Sequence, residues 1–396
     1  MDIFKFGSGD YPLDLEQGEY VNGITSVVWT ERYAEPGEFE IQSPLSSDIR
    51  SKLPIGSLIS HTDTAEIMMV ENHEIKEEDD DDETMVVITG RSLFAYLEQR
   101  IIGNQDARNY PYIEEYMITA NNSIALQITL IINDNFHGWA ETDDGVAGFR
   151  AVTEFTDIPT PNFRVIPKQD CLKTVMELLP IDDLGLKVLR VRYPNRGFSE
   201  FPNDNLLVVH GGEDKTASVI FSWKSGDLDA VNYLFSNKKT KNAAMVVGRY
   251  VWVVIDSGLW YETDFNRRQM LVDGSDIDEG FTEPPAGADY DAVLAKMIER
   301  GRIALRNRMN IVLGQTDVSD VTQYQFRRDY NIGDLVTLDA NFGQIAVMRV
   351  VEYTEIEDEN GESGHPTLSL PYSAYVVTTH PNRTLGGFVV QENPEQ

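Results

Sequence analysis

The sequence predicts a β-rich α+β protein of several domains, with two related β domains and smaller α+β insertions. Three observations predict it. One short pattern occurs twice, in the same order, at distant places in the chain. Runs with the period-two alternation of half-buried strands fill most of the chain outside residues 103–204. Only a few segments show a helical period.

The repeated pattern is Ile55-Gly56-Ser57-Leu58-Ile59 followed by Val70-Glu71-Asn72-His73-Glu74-Ile75. Its second copy is Ile332-Gly333-Asp334-Leu335-Val336 followed by Val351-Glu352-Tyr353-Thr354-Glu355-Ile356. Each copy continues through an acidic turn, Glu77 to Glu83 or Glu355 to Glu362, into Thr84-Met85-Val86-Val87-Ile88 or Thr367-Leu368-Ser369-Leu370. The copies are too far apart for a solenoid, whose units follow one another directly. They read as two related β domains, the later one interrupted.

Along the chain, Gly23 to Tyr33 is strand-like, Ala34-Glu35-Pro36-Gly37 is a turn, and Glu38 to Gln42 alternates, so the pair makes a hairpin. Leu58 to His61, Glu66 to Val70 and Met85 to Thr89 follow as strands. Ser92 to Ile102 reads as a helix, capped by Ser92, with Leu93, Tyr96, Leu97 and Ile101 on one face. Asn121 to Asn135 reads as a helix with a stripe of Ile124, Ile128, Ile131 and Ile132. Asp170 to Leu179 reads as another, capped by Asp170, with Cys171, Val175 and Leu178 inward. Leu186 to Val191 is strand-like. From about residue 205 the β texture returns, with Leu206 to His210 and Ser218 to Trp223. A second hairpin is expected between Ala230 to Phe235 and Ala243 to Gly248, around the turn Ser236 to Asn242. Val251 to Ile255 and Trp260-Tyr261 continue the strands. A helix spans Asp289 to Arg308, with Tyr290, Val293, Leu294, Met297 and Ile298 inward.

The expected organisation is therefore a β domain over 1–102, an α+β domain over 103–204, and a second β domain over 205–248 plus 305–375. An inserted subdomain with a helix occupies 249–304, and a C-terminal arm occupies 376–396.

Charge and composition narrow the function. The chain has 396 residues and a formal net charge of −32. Gripping nucleic acid or an anionic membrane needs clustered Lys and Arg, so both are poor partners; a negative surface instead lets nucleic acid slide past. One cysteine, Cys171, excludes an internal disulfide and a cysteine metal site. The first residues are too polar for a signal peptide and the apolar runs too short to span a membrane, so a soluble protein made in a cytoplasm is expected.

Catalytic chemistry leaves no motif. There is no His-Glu-x-x-His, no Gly-rich phosphate loop with Lys and Ser/Thr, and no Gly-x-Ser-x-Gly. The six histidines (His61, His73, His137, His210, His365, His380) are scattered and read as strand or loop surface. Cys171 reads as a buried structural thiol. The run Glu77 to Glu83 lacks the spaced ligands and turning Gly of an EF-hand, and reads as a solvated hairpin tip. The site expectation is accordingly empty: no catalytic, cofactor-binding or metal residues, and no cofactor.

The runs Gly23 to Tyr33, Pro36 to Ile41, Glu66 to Glu71, Thr89 to Leu93 with Gln99 to Ile102, and Asp329-Tyr330-Asn331-Ile332-Gly333-Asp334-Leu335-Val336 resemble the siphophage tail-hub proteins of the ReqiPepy type. The likeness runs from about residue 20 to 375 and is thinnest over 103–204. It implies a non-enzymatic structural protein at the distal end of the virion tail, whose two β domains are tube-like. It implies a homotrimeric baseplate hub in which three chains present six similar units to a six-fold tail. It implies contact with a distal tail protein ring, the tape-measure protein and tip or fibre proteins, and DNA only in passage during ejection. The chain's end at residue 396 is expected to leave out the enzymatic or receptor-binding extension of some relatives. The other readings are a distal tail or receptor-binding protein and a tail-associated cell-wall hydrolase. The five tryptophans are spread along the chain rather than clustered as in a receptor binder. The expected contact regions are the edges of the repeat units, the turns Ala34 to Gly37 and Ser236 to Asn242, and the C-terminal arm.

Overall fold

The computed structural model describes residues 1–6, 18–64, 66–76, 84–102, 116–117, 123–136, 149–154, 164–165, 170–192, 203–231, 241–256, 267–306, 316–318, 322–339, 345–369, 371 and 378–382. The first β unit contains β1 (Ile3–Phe6), β2 (Glu19–Tyr20), β3 (Ser26–Arg32), β4 (Glu38–Pro44), a helical turn α1 (Ile49–Lys52), β5 (Leu58–His61), β6 (Met68–Lys76) and β7 (Met85–Ser92). A middle region comes next, with β8 (Tyr116–Met117), α2 (Ile124–Phe136), β9 (Phe149–Thr153), β10 (Arg164–Val165), α3 (Cys171–Leu178), β11 (Gly185–Arg192) and β12 (Asn203–His210). The remainder holds β13 (Ile220–Ser222), β14 (Leu228–Val231), β15 (Ala243–Val247), β16 (Trp252–Asp256), β17 (Gln269–Asp273), α4 (Ala288–Arg306), β18 (Thr316–Val318), β19 (Leu335–Asp339), β20 (Ile345–Asp358), β21 (Gly361–Ser369) and β22 (Thr378–Asn382).

Alternation places the core. In β4, Phe39, Ile41 and Ser43 are buried while their neighbours are not, the period of a strand with one covered face. Trp29, Phe39, Ile41, Ile59, Met68, Val70, Val86 and Ile88 pool these faces into the core of the first unit. Val219, Phe221, Leu228, Tyr330, Val336, Leu338, Met348 and Val350 form the equivalent core of the second.

The two units share one sheet of eleven strands. Ten follow the order β13-β19-β20-β3-β4-β7-β6-β5-β1-β2, and β21 pairs with β20 off that path. The repeat read from sequence is visible as geometry. Gly56 and Gly333 both take positive φ, 86° and 93°. The Gly56 N–H donates to Val70 O at 2.8 Å and the Val70 N–H to Ser57 O at 2.9 Å. The Gly333 N–H donates to Val350 O at 2.8 Å and the Val350 N–H to Asp334 O at 3.0 Å. A β-bulge comes at the same place in each, between Val70 and Asn72 in β6 and between Val350 and Glu352 in β20. The structural partner of Val70 is thus Val350, one residue before the match at Val351 that the letters favour.

Several expectations change. Ser92 ends β7 rather than capping a helix, and the chain then forms only a short 3₁₀ segment, Ala95–Gln99. Leu93 and Leu97 pack inward but Ile101 is 68% exposed, because the chain leaves the helical path after one turn. The hairpin between Ala230 to Phe235 and Ala243 to Gly248 does not form. β14 pairs with β18, whereas β15 pairs with β16 and β17 in a separate sheet of order β17-β15-β16-β22, against which α4 packs. The turn residues Ser236 to Thr240 lie outside the described residues, as do Trp260-Tyr261 and the acidic run Glu77 to Glu83. The second acidic turn is shorter than expected: β20 runs to Asp358 and β21 starts at Gly361. Leu206 to His210 belongs to β12, which pairs with β11 and with β9 in the middle region. Within 376–396, Thr378–Asn382 is a strand beside β16, not an extended arm; residues 383–396 lie outside the described ones.

The helices hold where the apolar stripe is long. Ile124, Ile128, Ile131 and Ile132 are buried, and so are Cys171, Val175 and Leu178. The Asp170 carboxylate caps α3 by accepting the Lys173 N–H at 2.6 Å. In α4, Val293 and Met297 are buried, with Tyr290, Leu294 and Ile298 packed beside them. No helix among the described residues is long and apolar enough to cross a membrane.

The two repeat glycines separate two costs. A Cβ at Gly56 meets nothing within 4 Å, whereas one at Gly333 sits 2.6 Å from the Tyr33 ring. Gly56→Ala is expected to lose only the left-handed strain, about 1 kcal/mol. Gly333→Ala adds a clash in a packed junction and is expected to lose about 3 kcal/mol in all. Urea unfolding of the two variants measures the difference.

Candidate functional site: the seam between the two β units

β3 of the first unit lies antiparallel to β20 of the second, from Arg32 opposite Glu352 to Val27 opposite Glu357. The hairpin β3–β4 gives β3 one neighbour and leaves its other edge for β20. At the end of the seam the Tyr33 N–H donates to Val351 O at 2.8 Å. Arg32 closes it with Nε 2.6 Å from Glu352 Oε2 and Nη2 2.6 Å from Glu38 Oε1.

Two charged clusters brace the seam. The first is buried and joins three parts of the chain. Arg349 of β20 reaches Asp183 of the middle region with Nη2 2.5 Å from Oδ2; their side chains are 6% and 4% exposed. Arg349 Nη1 also donates to Gly211 O at 2.6 Å and to Gly333 O. Its guanidinium lies 4.8 Å from the centre of the Tyr33 ring. The Tyr33 hydroxyl donates to Asp183 O at 2.7 Å, and His210 meets the same ring edge-on at 5.2 Å. Burial holds His210 neutral by pushing its imidazole down to about 3, aided by Lys187 and Arg349. Burial also pushes the Tyr33 hydroxyl up. Removing one member of such a buried pair strands the other charge, a loss of about 3–5 kcal/mol.

The second cluster lies along the seam. Arg327, at φ 64°, pairs with both Glu355 oxygens at 2.7 and 2.9 Å and with Glu31 Oε1 at 2.8 Å. It therefore links a loop of the second unit to both seam strands. Phe326 stacks on Tyr353 with ring centres 3.9 Å apart, which holds that loop down. His61 of β5 places Nε2 3.2 Å from Glu355 Oε2 and packs edge-on against Trp29 at 4.9 Å. Burial alone would raise the Glu355 carboxyl, but His61 and Arg327 outweigh it and hold it at about 2. The buried Glu66 goes the other way: burial and the Glu31 charge push it well above the usual carboxylate range.

Of the residues weighed from sequence, Cys171 is buried in the middle core and its thiol is pushed up by burial. His61 and His210 are buried at the seam, not on a surface, because each packs its ring against an aromatic side chain of the junction. His73 is half-buried, with Nε2 2.7 Å from Leu53 O, and His365 is half-buried on β21. His137 and the side chain of His380 lie outside the described residues. No group of three or more His, Cys, Asp or Glu among the described residues is arranged to hold a metal ion. The turn Ala34 to Gly37 is not a free tip, since Ala34 packs on the middle core and only Glu35 is exposed. Sequence reasoning missed Arg349, Asp183 and Arg327. The available signal for Arg349 was a lone charge inside the apolar run Ala346 to Val351.

These observations define a β-rich protein of two paired β units braced by buried charge. The chain belongs to the siphovirus ReqiPepy6 Gp37-like proteins, whose family model matches residues 11–130 and 162–368. Its fold is similar to the 43 kDa tail protein of prophage MuSo2 from Shewanella oneidensis (14% identity, TM-score 0.57, 94% of this chain and 99% of that one). It is also similar to a tail protein from Neisseria meningitidis MC58 (10%, 0.55, 93% and 96%). A third likeness is to prophage tail protein gp18 from Listeria monocytogenes EGD-e (12%, 0.51, 93% and 94%). No curated protein sequence matches.

Glu355 gives the seam a pH signature. Its carboxyl sits at about 2 in the fold against an ordinary 4.5. Its stabilisation is therefore complete above pH 4.5 and fades as pH falls towards 2. Glu355→Gln is expected to lose about 1–2 kcal/mol at pH 7 and to lack that acid slope, so that the two stability curves converge near pH 2. Denaturant unfolding at a series of pH values measures both.

Proposed function

We propose that this chain is the structural hub of a siphophage tail tip, a ring of three copies at the distal end of the tail. The observation that carries the reading is the duplicated β unit joined edge to edge within one chain. Three such chains present six similar units, which suits a six-fold tube above and a three-fold tip below. In this reading the two units are the tube-like domains, and the middle region and the sheet with α4 are insertions facing the neighbouring proteins. The distal tail ring, the tape-measure protein and tip or fibre proteins are its partners. The role is architectural and not catalytic.

The charge of −32 supports a passage role. A ring lumen of negative sign repels phosphates, so DNA slides through during ejection without sticking. Native mass measurement of the purified chain, alone and with its distal tail ring, is the test. Three copies per particle is the expected mass, and release of sugar or peptide from host cell wall is expected to be nil. A particle of six copies, or cell-wall cleavage, overturns the proposal.

A further inference from the structure

The hub reading leaves open how one copy meets the next, and the strand edges answer it. β20 uses its two edges in three sections. Its first residues pair with β19, and after the bulge the same edge pairs with β3; the other edge pairs with β21. β6 has the same plan up to a point. Met68 and Met69 pair with β5, the bulge comes next, and the other edge pairs with β7 as far as Lys76. Beyond Val70, however, no strand among the described residues lies along the β5 side of Asn72 to Lys76. Asn72, Glu74, Ile75 and Lys76 are exposed there, Ile75 at 47%. The section of β6 that corresponds to the β3-receiving section of β20 has no strand along it among the described residues.

The donor has a counterpart too. β3 and its hairpin partner β4 precede β5–β6–β7, as β14 and its antiparallel partner β18 precede β19–β20–β21. β3 gives one edge to β4 and the other to β20. β14 gives one edge to β18, and no strand among the described residues lies along the other. Among the described residues each copy therefore has one filled seam, one receiving edge with no strand along it and one donating edge with no strand along it.

We propose that β14 of one copy pairs antiparallel with residues 72–76 of β6 in the next copy, repeating between copies the β3–β20 seam within each. The inference rests on the three-copy hub reading and names the contact that closes it. Such a contact is head-to-tail, and head-to-tail contacts make rings when the rotation closes. Three seams within copies and three between them give six alike. An unpaired strand edge is a ready template for such addition.

The ladder also says which backbone groups take part. Leu93 N–H donates to Ile67 O, so Met68 and Ser92 are a pair without mutual hydrogen bonds. Counting through the bulge, Asn72 and Glu74 bond to β7, while His73 and Ile75 turn N–H and C=O to the bare edge. Tyr353 and Glu355 turn theirs to β3 in the same way. Ile75→Pro therefore removes a donor that β7 does not use.

The test compares wild type and Ile75→Pro as full chains, by native mass and by amide hydrogen exchange. The wild-type ring is expected to slow exchange at His73, Ile75 and β14 at least about tenfold relative to the monomer. Ile75→Pro is expected to keep the wild-type circular dichroism and remain a monomer. A three-copy wild-type ring in which His73, Ile75 and β14 exchange as in the monomer overturns the inference and leaves the hub reading standing. A folded Ile75→Pro that forms the ring undiminished does the same. A wild type that forms no three-copy particle, alone or with its tail partners, overturns the hub reading and this inference with it. If Ile75→Pro fails to fold, the exchange pattern of the wild-type ring decides alone.

Discussion

The buried pair of Arg349 and Asp183 is the constraint on which the arrangement depends. It lies where β20, the middle region and the first unit's Tyr33 converge, and it satisfies the carbonyls of Gly211 and Gly333 as well. Two desolvated charges are tolerated only when geometry and further hydrogen bonds repay the loss of water. The junction is therefore tolerant of few other arrangements. Gly333 must stay small beneath Tyr33, and Gly212 must let the Gly333 carbonyl approach, since a Cβ at Gly212 would lie 1.9 Å from it. A hydrophobic contact would hold these parts together without fixing their registry; a buried, directional pair fixes it.

From that node the seam runs as ordinary strand pairing, and its side chains add a second level of specification. Thr30 and Thr354 share a hydrogen bond at 3.1 Å on one face. Glu31, Glu355, His61 and Arg327 hold the seam with charge. Carboxylates gathered from two strands repel, so the single guanidinium of Arg327 between them makes the pairing conditional on the second unit's loop being in place. Folding of that loop and closure of the seam are thereby coupled. The β6 edge differs from the within-chain seam: the seam carries these charged pairs, whereas the β6 edge exposes Ile75 and Lys76 with no strand along it among the described residues.

Much of this was legible in the sequence because local rules decide it. The Ile-Gly-x-Leu pattern marks a left-handed glycine that turns the chain into a strand, and that happens alike at Gly56 and Gly333. The stripes of α2, α3 and α4 are long enough to fix helices. What failed was non-local. β14 and β15 are separated by a turn-rich stretch that looks like a hairpin, yet β14 pairs with β18 across a long insertion. No local propensity records which distant strand completes a sheet. The junction was illegible for a similar reason: Tyr33, Asp183, His210 and Arg349 are far apart in the chain, and each looks like an ordinary polar residue until the fold brings them together. His61 and His210, read as surface residues, are drawn inside by aromatic neighbours from other strands.

The duplicated unit matters most as geometry: in the proposed hub, one chain supplies two equivalent β units to a ring. Electron cryomicroscopy of intact tail tips, reconstructed without imposed symmetry, shows whether it does. Three copies of this chain are expected around the tail axis, with six quasi-equivalent β units alternating between first and second type. Six copies in the ring, or a second unit lying away from the axis while the first lines it, would contradict that geometry.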